Sequence, residues 1–416
     1  MQPVKIMKQF NVPVTYRSPL ITAVKNKRKQ EDKLKKDFTP TLLDFGAVQI
    51  YLARHFGFCY GVENAIEIAF RIVDENPGKR IYLLSEMIHN PQVNADLQAR
   101  GVQFLQDTYG KPLIPFEDLT QDDVVIIPAF GTTLSIEKQL NDKGIPTEKY
   151  NTTCPFVEKV WNRGEQIAKK GYSVVVHGKP KHEETRATFS HSAANTPTVV
   201  INDMQEAVEL AKYISGEKPP KQFYTEFSGR YSKGFNVEID LKRIGVINQT
   251  TMLASDTQAI ADYLKHTMAE KYQLTEANIN ERFADTRDTL CYATNDNQSA
   301  VYGMLETDAN LAIVVGGYNS SNTSHLVELC EERLPTFYIN APDKIVSDRE
   351  IIHYNFHTKQ ELHTVEYMPA AEPVKILITS GASCPDAVVE EVIRKVISFF
   401  ETTKTIDELT TEFSIT

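Results

Sequence analysis

No apolar run in the 416 residues approaches the roughly 18 to 20 needed to cross a bilayer. The sequence therefore predicts no membrane-spanning helix. The first ten residues lack the apolar core and cleavage pattern of an export signal, and the expected compartment is the cytoplasm. Basic excess is missing too. Lys and Arg number 45 against 55 Asp and Glu, for a formal net charge of -10, which argues against a general nucleic-acid binder. Cysteine is scarce and odd in number, at 5. A disulfide framework is not expected, and reduced thiols are. No two cysteines stand in the C-x₂-C spacing that structural zinc sites use.

What is present is an ordinary globular composition, 41% hydrophobic and 24% charged, in a chain long enough for two or three domains. Residues 1–47 differ from the rest. They carry the run Lys25-Asn26-Lys27-Arg28-Lys29, then Lys33, Lys35 and Lys36, and predict a solvated N-terminal extension. From residue 48 onward, short apolar runs alternate with helical patterns. Val124–Ile127, Val174–Val176, Ile244–Ile247, Ile313–Val315 and Ile376–Ile378 predict buried strands. Phe156–Lys170, Asp256–Lys271, Ser324–Arg333 and Asp386–Phe399 predict helices. Such alternation implies an α/β fold with parallel sheets. Cys59, Cys154 and Cys291 each mark an edge of an α/β block, so the sequence predicts three lobes, 48–155, 156–288 and 289–402. An insertion near 215–240 and a loose polar tail, 403–416, complete the division.

Several motifs fall at predicted strand ends, where α/β proteins bind ligands. Gly57-Phe58-Cys59-Tyr60-Gly61-Val62 lies between a strand and a helix. Thr153-Cys154-Pro155 stands ahead of a helix, and Cys291-Tyr292-Ala293-Thr294 does the same. A thiol at a helix start tends toward the thiolate that binds metal. Three widely spaced thiols suit a [4Fe–4S] cluster whose fourth iron has no protein thiolate. Cys330 sits on an apolar helical face; Cys384 follows a strand and is the main rival ligand. Asn319-Ser320-Ser321-Asn322-Thr323-Ser324 and Ser383 combine hydroxyls, amides and helix N–H groups, as an anion site would. Capping alone explains one such residue, not a run of them. His182-Glu183-Glu184-Thr185 offers a histidine and a carboxylate for proton transfer. His89 and Thr250 also lie at strand ends.

In order along the chain, these motifs resemble the LytB family, the 4-hydroxy-3-methylbut-2-enyl diphosphate reductases. The likeness runs from about Gly57 to Asp386 and is closest to the family's longer-chain branch. It implies a three-lobed trefoil of parallel-sheet α/β domains around one [4Fe–4S] cluster per chain, held by Cys59, Cys154 and Cys291. It implies that the substrate's allylic hydroxyl binds the open iron. Two electrons and two protons then remove it as water, giving isopentenyl and dimethylallyl diphosphates, the last step of the methylerythritol phosphate route. Glu184 would supply protons, with His182 and Thr250 beside it. His89, His182, Thr250, Ser320, Ser321, Asn322 and Ser383 would hold the substrate. An electron donor such as ferredoxin or flavodoxin would be the partner.

One position departs from the pattern. Phe130, in Pro128-Ala129-Phe130-Gly131, stands where many members place a histidine against the diphosphate; His177 is the candidate substitute. Two other readings share the same thiols: a [4Fe–4S] hydro-lyase and a non-catalytic iron–sulfur sensor.

Overall fold

The computed structural model describes residues 10–284 and 289–414; residues 1–9 of the N-terminal extension lie outside them. The chain begins with α1 (Pro19–Glu31) and the strands β1 (Thr41–Asp44) and β2 (Val48–Leu52). Helix α2 (Tyr60–Glu75) leads to β3 (Ile81–Leu83), α3 (Pro91–Ala99), β4 (Gln103–Phe104), β5 (Val124–Ile126) and α4 (Leu134–Asp142). Next come α5 (Pro155–Lys169), β6 (Ser173–His177), α6 (Glu183–Ala193), β7 (Thr198–Ile201), α7 (Met204–Ser215), α8 (Pro220–Glu226), α9 (Val237–Asp240), β8 (Ile244–Asn248) and α10 (Ala254–Tyr272). The last stretch carries α11 (Tyr292–Met304), β9 (Leu311–Val315), α12 (Ser321–Glu331), β10 (Thr336–Ile339), β11 (Glu350–Asn355), β12 (Gln360–Val365), β13 (Val374–Ser380), α13 (Asp386–Ile397) and α14 (Ile406–Ser414).

The chain divides into two compact units. The first comprises Met1–Arg71, His89–Asn94 and Asn295–Thr416. Its main sheet has the order β1-β2-β13-β9-β10. All neighbours are parallel except β1 and β2. Ile376 of β13 stands opposite Ile50 on one side and Leu311 on the other. Parallel sheets are covered on both faces, so their strands are apolar throughout; every residue of β9 is buried. Because β2, β9 and β13 run the same way, the loops that follow them share one edge. Cys59, Ser320 and Ser383 lie on or just beyond those loops.

Two parts of this unit differ from expectation. The described part of the extension is solvated only in its charged half: Lys29, Lys33 and Lys36 are exposed, whereas Tyr16, Leu20, Ile21 and Val24 are each at most 2% exposed. Leu20, Ile21 and Val24 form one face of α1 directly ahead of the lysine run, whose charge hides the apolar pattern, and Tyr16 closes the short turn before it. The tail is not loose either. Ile406 and Leu409 are buried, and α14 packs on α1. The antiparallel hairpin β11–β12 goes unpredicted because β12 is almost wholly exposed and carries no apolar signal.

The second unit comprises Ile72–Ile88 and Ala95–Thr294. It holds two three-stranded parallel sheets, β4-β3-β5 and β7-β6-β8. The described residues thus form two parallel sheets and a third that is parallel but for its β1 edge, the α/β architecture the sequence predicts. Val48–Leu52, at the head of the 48–155 block, is bonded to β13 and not to β3–β5. The 215–240 segment is an aromatic knot: Phe223 stacks on Phe227 at 4.9 Å and on Phe235 at 5.3 Å. Among the described residues no helix is long and apolar enough to cross a membrane.

Candidate active site

In the second unit, α6 starts directly after the loop that follows β6, and its first turn presents Glu184. The residue is 1% exposed. Thr250, just past the end of β8, holds both carboxylate oxygens. Its N–H donates to Glu184 Oε1 at 2.5 Å and its hydroxyl donates to Oε2 at 2.9 Å. Thr250's carbonyl in turn accepts from the Cys291 N–H at 3.2 Å and from the Thr294 hydroxyl at 2.8 Å. One threonine therefore fixes the carboxylate and the cysteine turn together. His182 is the N-cap of α6; its Nδ1 accepts from the Glu184 N–H at 3.2 Å. An imidazole nitrogen that accepts carries no proton, so the neutral ring keeps its hydrogen on Nε2.

The thiols of this unit have donors aimed at them. Cys291 Sγ accepts from the Thr294 N–H at 3.3 Å and lies 3.1 Å from the Thr294 hydroxyl. Cys154 directly precedes Pro155, the first residue of α5, which suits a first helical turn. Its own N–H donates to the Ala129 carbonyl at 2.9 Å. Burial pushes the Cys154 thiol up to about 11, against the pull of the Phe156 and Val157 N–H groups; Cys291 and Glu184 push the same way. Burial also raises Cys291, opposed by the Thr294 hydroxyl and N–H. The two thiols and Glu184 thus feel one another electrostatically.

In the first unit the shared sheet edge brings the other motifs together. Cys59's N–H donates to the Ala382 carbonyl at 3.2 Å. The Ala382 N–H donates to Asn322 Oδ1 at 2.9 Å. Ser383's hydroxyl donates to the His89 carbonyl at 3.2 Å. Ser320 caps α12, its Oγ accepting from the Thr323 N–H at 3.2 Å. Capping accounts for that one residue. It leaves over Ser321 Oγ and Asn322 Nδ2, which are buried and have no hydrogen-bond partner among the described residues. Buried polar groups are rarely left so, and here both stand in the first turn of a helix, where an anion is favoured. Gly317 carries no side chain at a point where a Cβ would strike the His89 carbonyl, which lets the β9 loop lie against it.

Cys154 and Cys291, with N–H groups turned toward their sulfurs, have donor chemistry that suits an iron–sulfur group. Among the described residues no three His, Cys, Asp or Glu side chains gather as a single-ion site requires. A multi-iron cluster spaces its thiolates farther apart than one ion does, so that finding bears on single ions alone. N–H groups turned toward cysteine sulfurs are the hydrogen bonds that tune such clusters. Cys330 and Cys384 are 0% and 1% exposed, and burial pushes each thiol up to about 12. Sequence reasoning missed Thr294, although its place three residues after Cys291 at a helix start is the capping spacing. It also missed Glu183, bonded to Ser85, and Arg186, which donates to the Tyr109 and Thr108 carbonyls at 2.8 and 2.9 Å.

Residues 50–397 match the family model described as LytB protein. The chain belongs to the LytB family. A Picosynechococcus protein named 4-hydroxy-3-methylbut-2-enyl diphosphate reductase is 42% identical over 354 residues, with 85% of each chain covered. A Gloeobacter violaceus protein of the same name is 37% identical over 383 residues, covering 89% of this chain and 90% of its own. The solved structure of E-1-hydroxy-2-methyl-but-2-enyl-4-diphosphate reductase from Plasmodium falciparum resembles the chain with a TM-score of 0.60 at 21% identity, over 85% of this chain and 89% of that one. That last likeness is one of fold. Within this LytB chain, Phe130 meets the His182 ring edge-on at 5.5 Å. His177 is buried, with its Nδ1 at 3.1 Å from Asn248 Oδ1 across the β6–β8 ladder.

Proposed function

We propose that the chain reductively removes the hydroxyl of 4-hydroxy-3-methylbut-2-enyl diphosphate, and that Cys59, Cys154 and Cys291 hold one [4Fe–4S] cluster for the purpose. Substrate, two electrons and two protons become isopentenyl or dimethylallyl diphosphate and water. When bound, the cluster supplies the electrons and an iron of Lewis-acid character. The observation that carries the reading is the Glu184–Thr250–Cys291 linkage: a buried carboxylate tied through one residue to a cysteine turn. Membership of the LytB family gives the reaction class its support.

The residues divide the work. Ser321, Asn322 and the first N–H groups of α12 receive the diphosphate, with Ser320, Ser383 and His89 lining the same sheet edge. Ser321 Oγ and Asn322 Nδ2 then gain the partners they lack among the described residues. Glu184 delivers protons to the departing hydroxyl. Thr250 keeps its carboxyl group aimed, and its hydroxyl is one link for the proton to follow. His182 presents Nε2–H and is steadied by Phe130, whose apolar ring takes no part in phosphate binding. The electrons come from a small redox protein of the ferredoxin or flavodoxin type, and the reaction runs in the cytoplasm.

Turnover by anaerobically purified, iron-loaded protein, with and without a chemical reductant, tests the reading. Product is expected only with the reductant. Product formed without it would replace the reductase by a hydro-lyase that uses the same thiols.

A further inference from the structure

The thiol of Cys59 sits in a turn with glycines on both sides, Gly57 and Gly61. Such a turn is pliable by itself. Both immediate neighbours of the cysteine are nevertheless held, and by residues that precede β1. Phe10 meets the Tyr60 ring edge-on at 4.8 Å. Tyr16, 2% exposed, meets Phe58 at 5.8 Å and Phe70 at 6.4 Å. The segment is bonded down around these rings. Asn11's N–H donates to Glu67 on α2 at 3.1 Å, and Arg17 donates to the Phe10 carbonyl at 2.9 Å.

A third grip acts below the turn. Lys25 of α1 lies 4.5 Å over the Phe56 ring. Its ammonium donates to both carboxylate oxygens of Asp386, at 2.7 and 3.0 Å. Asp386 opens α13 just after the Ser383–Pro385 loop, and it occupies the space where a side chain at Gly57 would stand. Gly57 has φ +78°, a conformation other residues adopt at a cost. Helix α1 is itself fastened to α13 at its start, where Ser18 caps α1 and donates to the buried Glu390. Ring contacts, a cation over a ring, and a two-pronged ion pair thus converge on the five consecutive residues from Phe56 to Tyr60, Cys59 among them.

We propose that residues 10–31 are a clamp on the Cys59 turn, which holds the thiol in one position and limits access to it, with Lys25 as its main positioning residue. An N-terminal extension of this kind adds no chemistry of its own. It acts on the one cysteine of the three that lies in the first unit. The proposal rests on the iron–sulfur reading only for what Cys59 binds, since the clamp can be read on the bare thiol.

The test uses the full chain stripped of iron and kept reduced. A short pulse of N-ethylmaleimide is followed by peptide mass spectrometry, so that Cys59, Cys154 and Cys291 are timed in the same sample. Lys25→Met is expected to speed modification of Cys59 on the order of tenfold, the combined effect of an ion pair and a cation–ring contact. Cys154 and Cys291 should keep their rates, and Lys25→Arg should restore most of the protection. Asp386→Asn removes the ion pair but leaves Lys25 over Phe56, so it should speed Cys59 in the same direction by a smaller factor, and poor folding of either variant leaves the other to report. An unchanged Cys59 rate in both would overturn the proposal. Equal acceleration of all three thiols would overturn it as well, since that marks general loosening. Failure of the reductase reading would show separately, as iron-loaded protein without reductant-dependent turnover and with the alkylation pattern intact.

Discussion

Glu184 and Asn322 occupy matching places: each lies beyond the end of a parallel strand, in the first turn of a helix, and is 1% and 3% exposed respectively. Their surroundings are opposite. Glu184 has both oxygens bonded to Thr250, and its N–H goes to His182. Asn322 has its oxygen bonded to Ala382 while its Nδ2 has no partner among the described residues, as is true of Ser321 Oγ beside it. A group that must act with its position fixed is secured inside the fold. On the proposed reading, a group that receives a ligand is left with capacity to spare, at a cost of about 1–3 kcal/mol for each unmet buried donor.

The largest effects should come from removing what the secured half supports. Cys59→Ser, Cys154→Ser or Cys291→Ser should each abolish the brown chromophore of the anaerobic protein; Cys330→Ser and Cys384→Ser should keep it, as judged by visible absorption. Glu184→Gln preserves shape and most hydrogen bonds. It should lower turnover by about 10²- to 10⁴-fold with iron content unchanged; turnover near wild type would mean that Glu184 is not the proton source. On the unsecured half the expected change is in KM. Asn322→Ala should raise it about 10- to 100-fold, as loss of a hydrogen bond to a charged ligand does, with a much smaller drop in kcat. Ser321→Ala sharpens the contrast. It should raise KM while leaving thermal stability equal or higher, because an unmet buried hydroxyl is removed. The smallest effect belongs to Ser320→Ala, about 1 kcal/mol of stability from the lost cap of α12, read by chemical denaturation. A stability loss larger for Ser321 than for Ser320 would reverse the assignment of cap and ligand donor.

The strands and the strand-end motifs are legible in the sequence because parallel β-strands announce themselves as short apolar runs, and ligand loops as polar clusters after them. The longer range is not legible. Nothing local tells that β2 joins β13, more than 300 residues on, so the block edges read from strand order say little about which strands pair. The N-terminal extension misleads for a different reason. Leu20, Ile21 and Val24 make a narrow apolar face of α1 that ends where Lys25 begins, and the charge run dominates any average over the stretch. Ser321 and Asn322 could be flagged as candidates beside Ser320, yet only the structure separates the cap from the two donors left over. The Glu184–Thr250 pairing joins residues 66 apart and likewise needs the fold.

The most direct measurement is a Mössbauer spectrum of the anaerobically purified, iron-loaded wild type set beside Cys59→Ser. One iron distinct from three others in the wild type, and no such cluster in the variant, is the predicted result. Four equivalent irons in the wild type, or an intact cluster in Cys59→Ser, would contradict the assignment of three thiolates and one open iron.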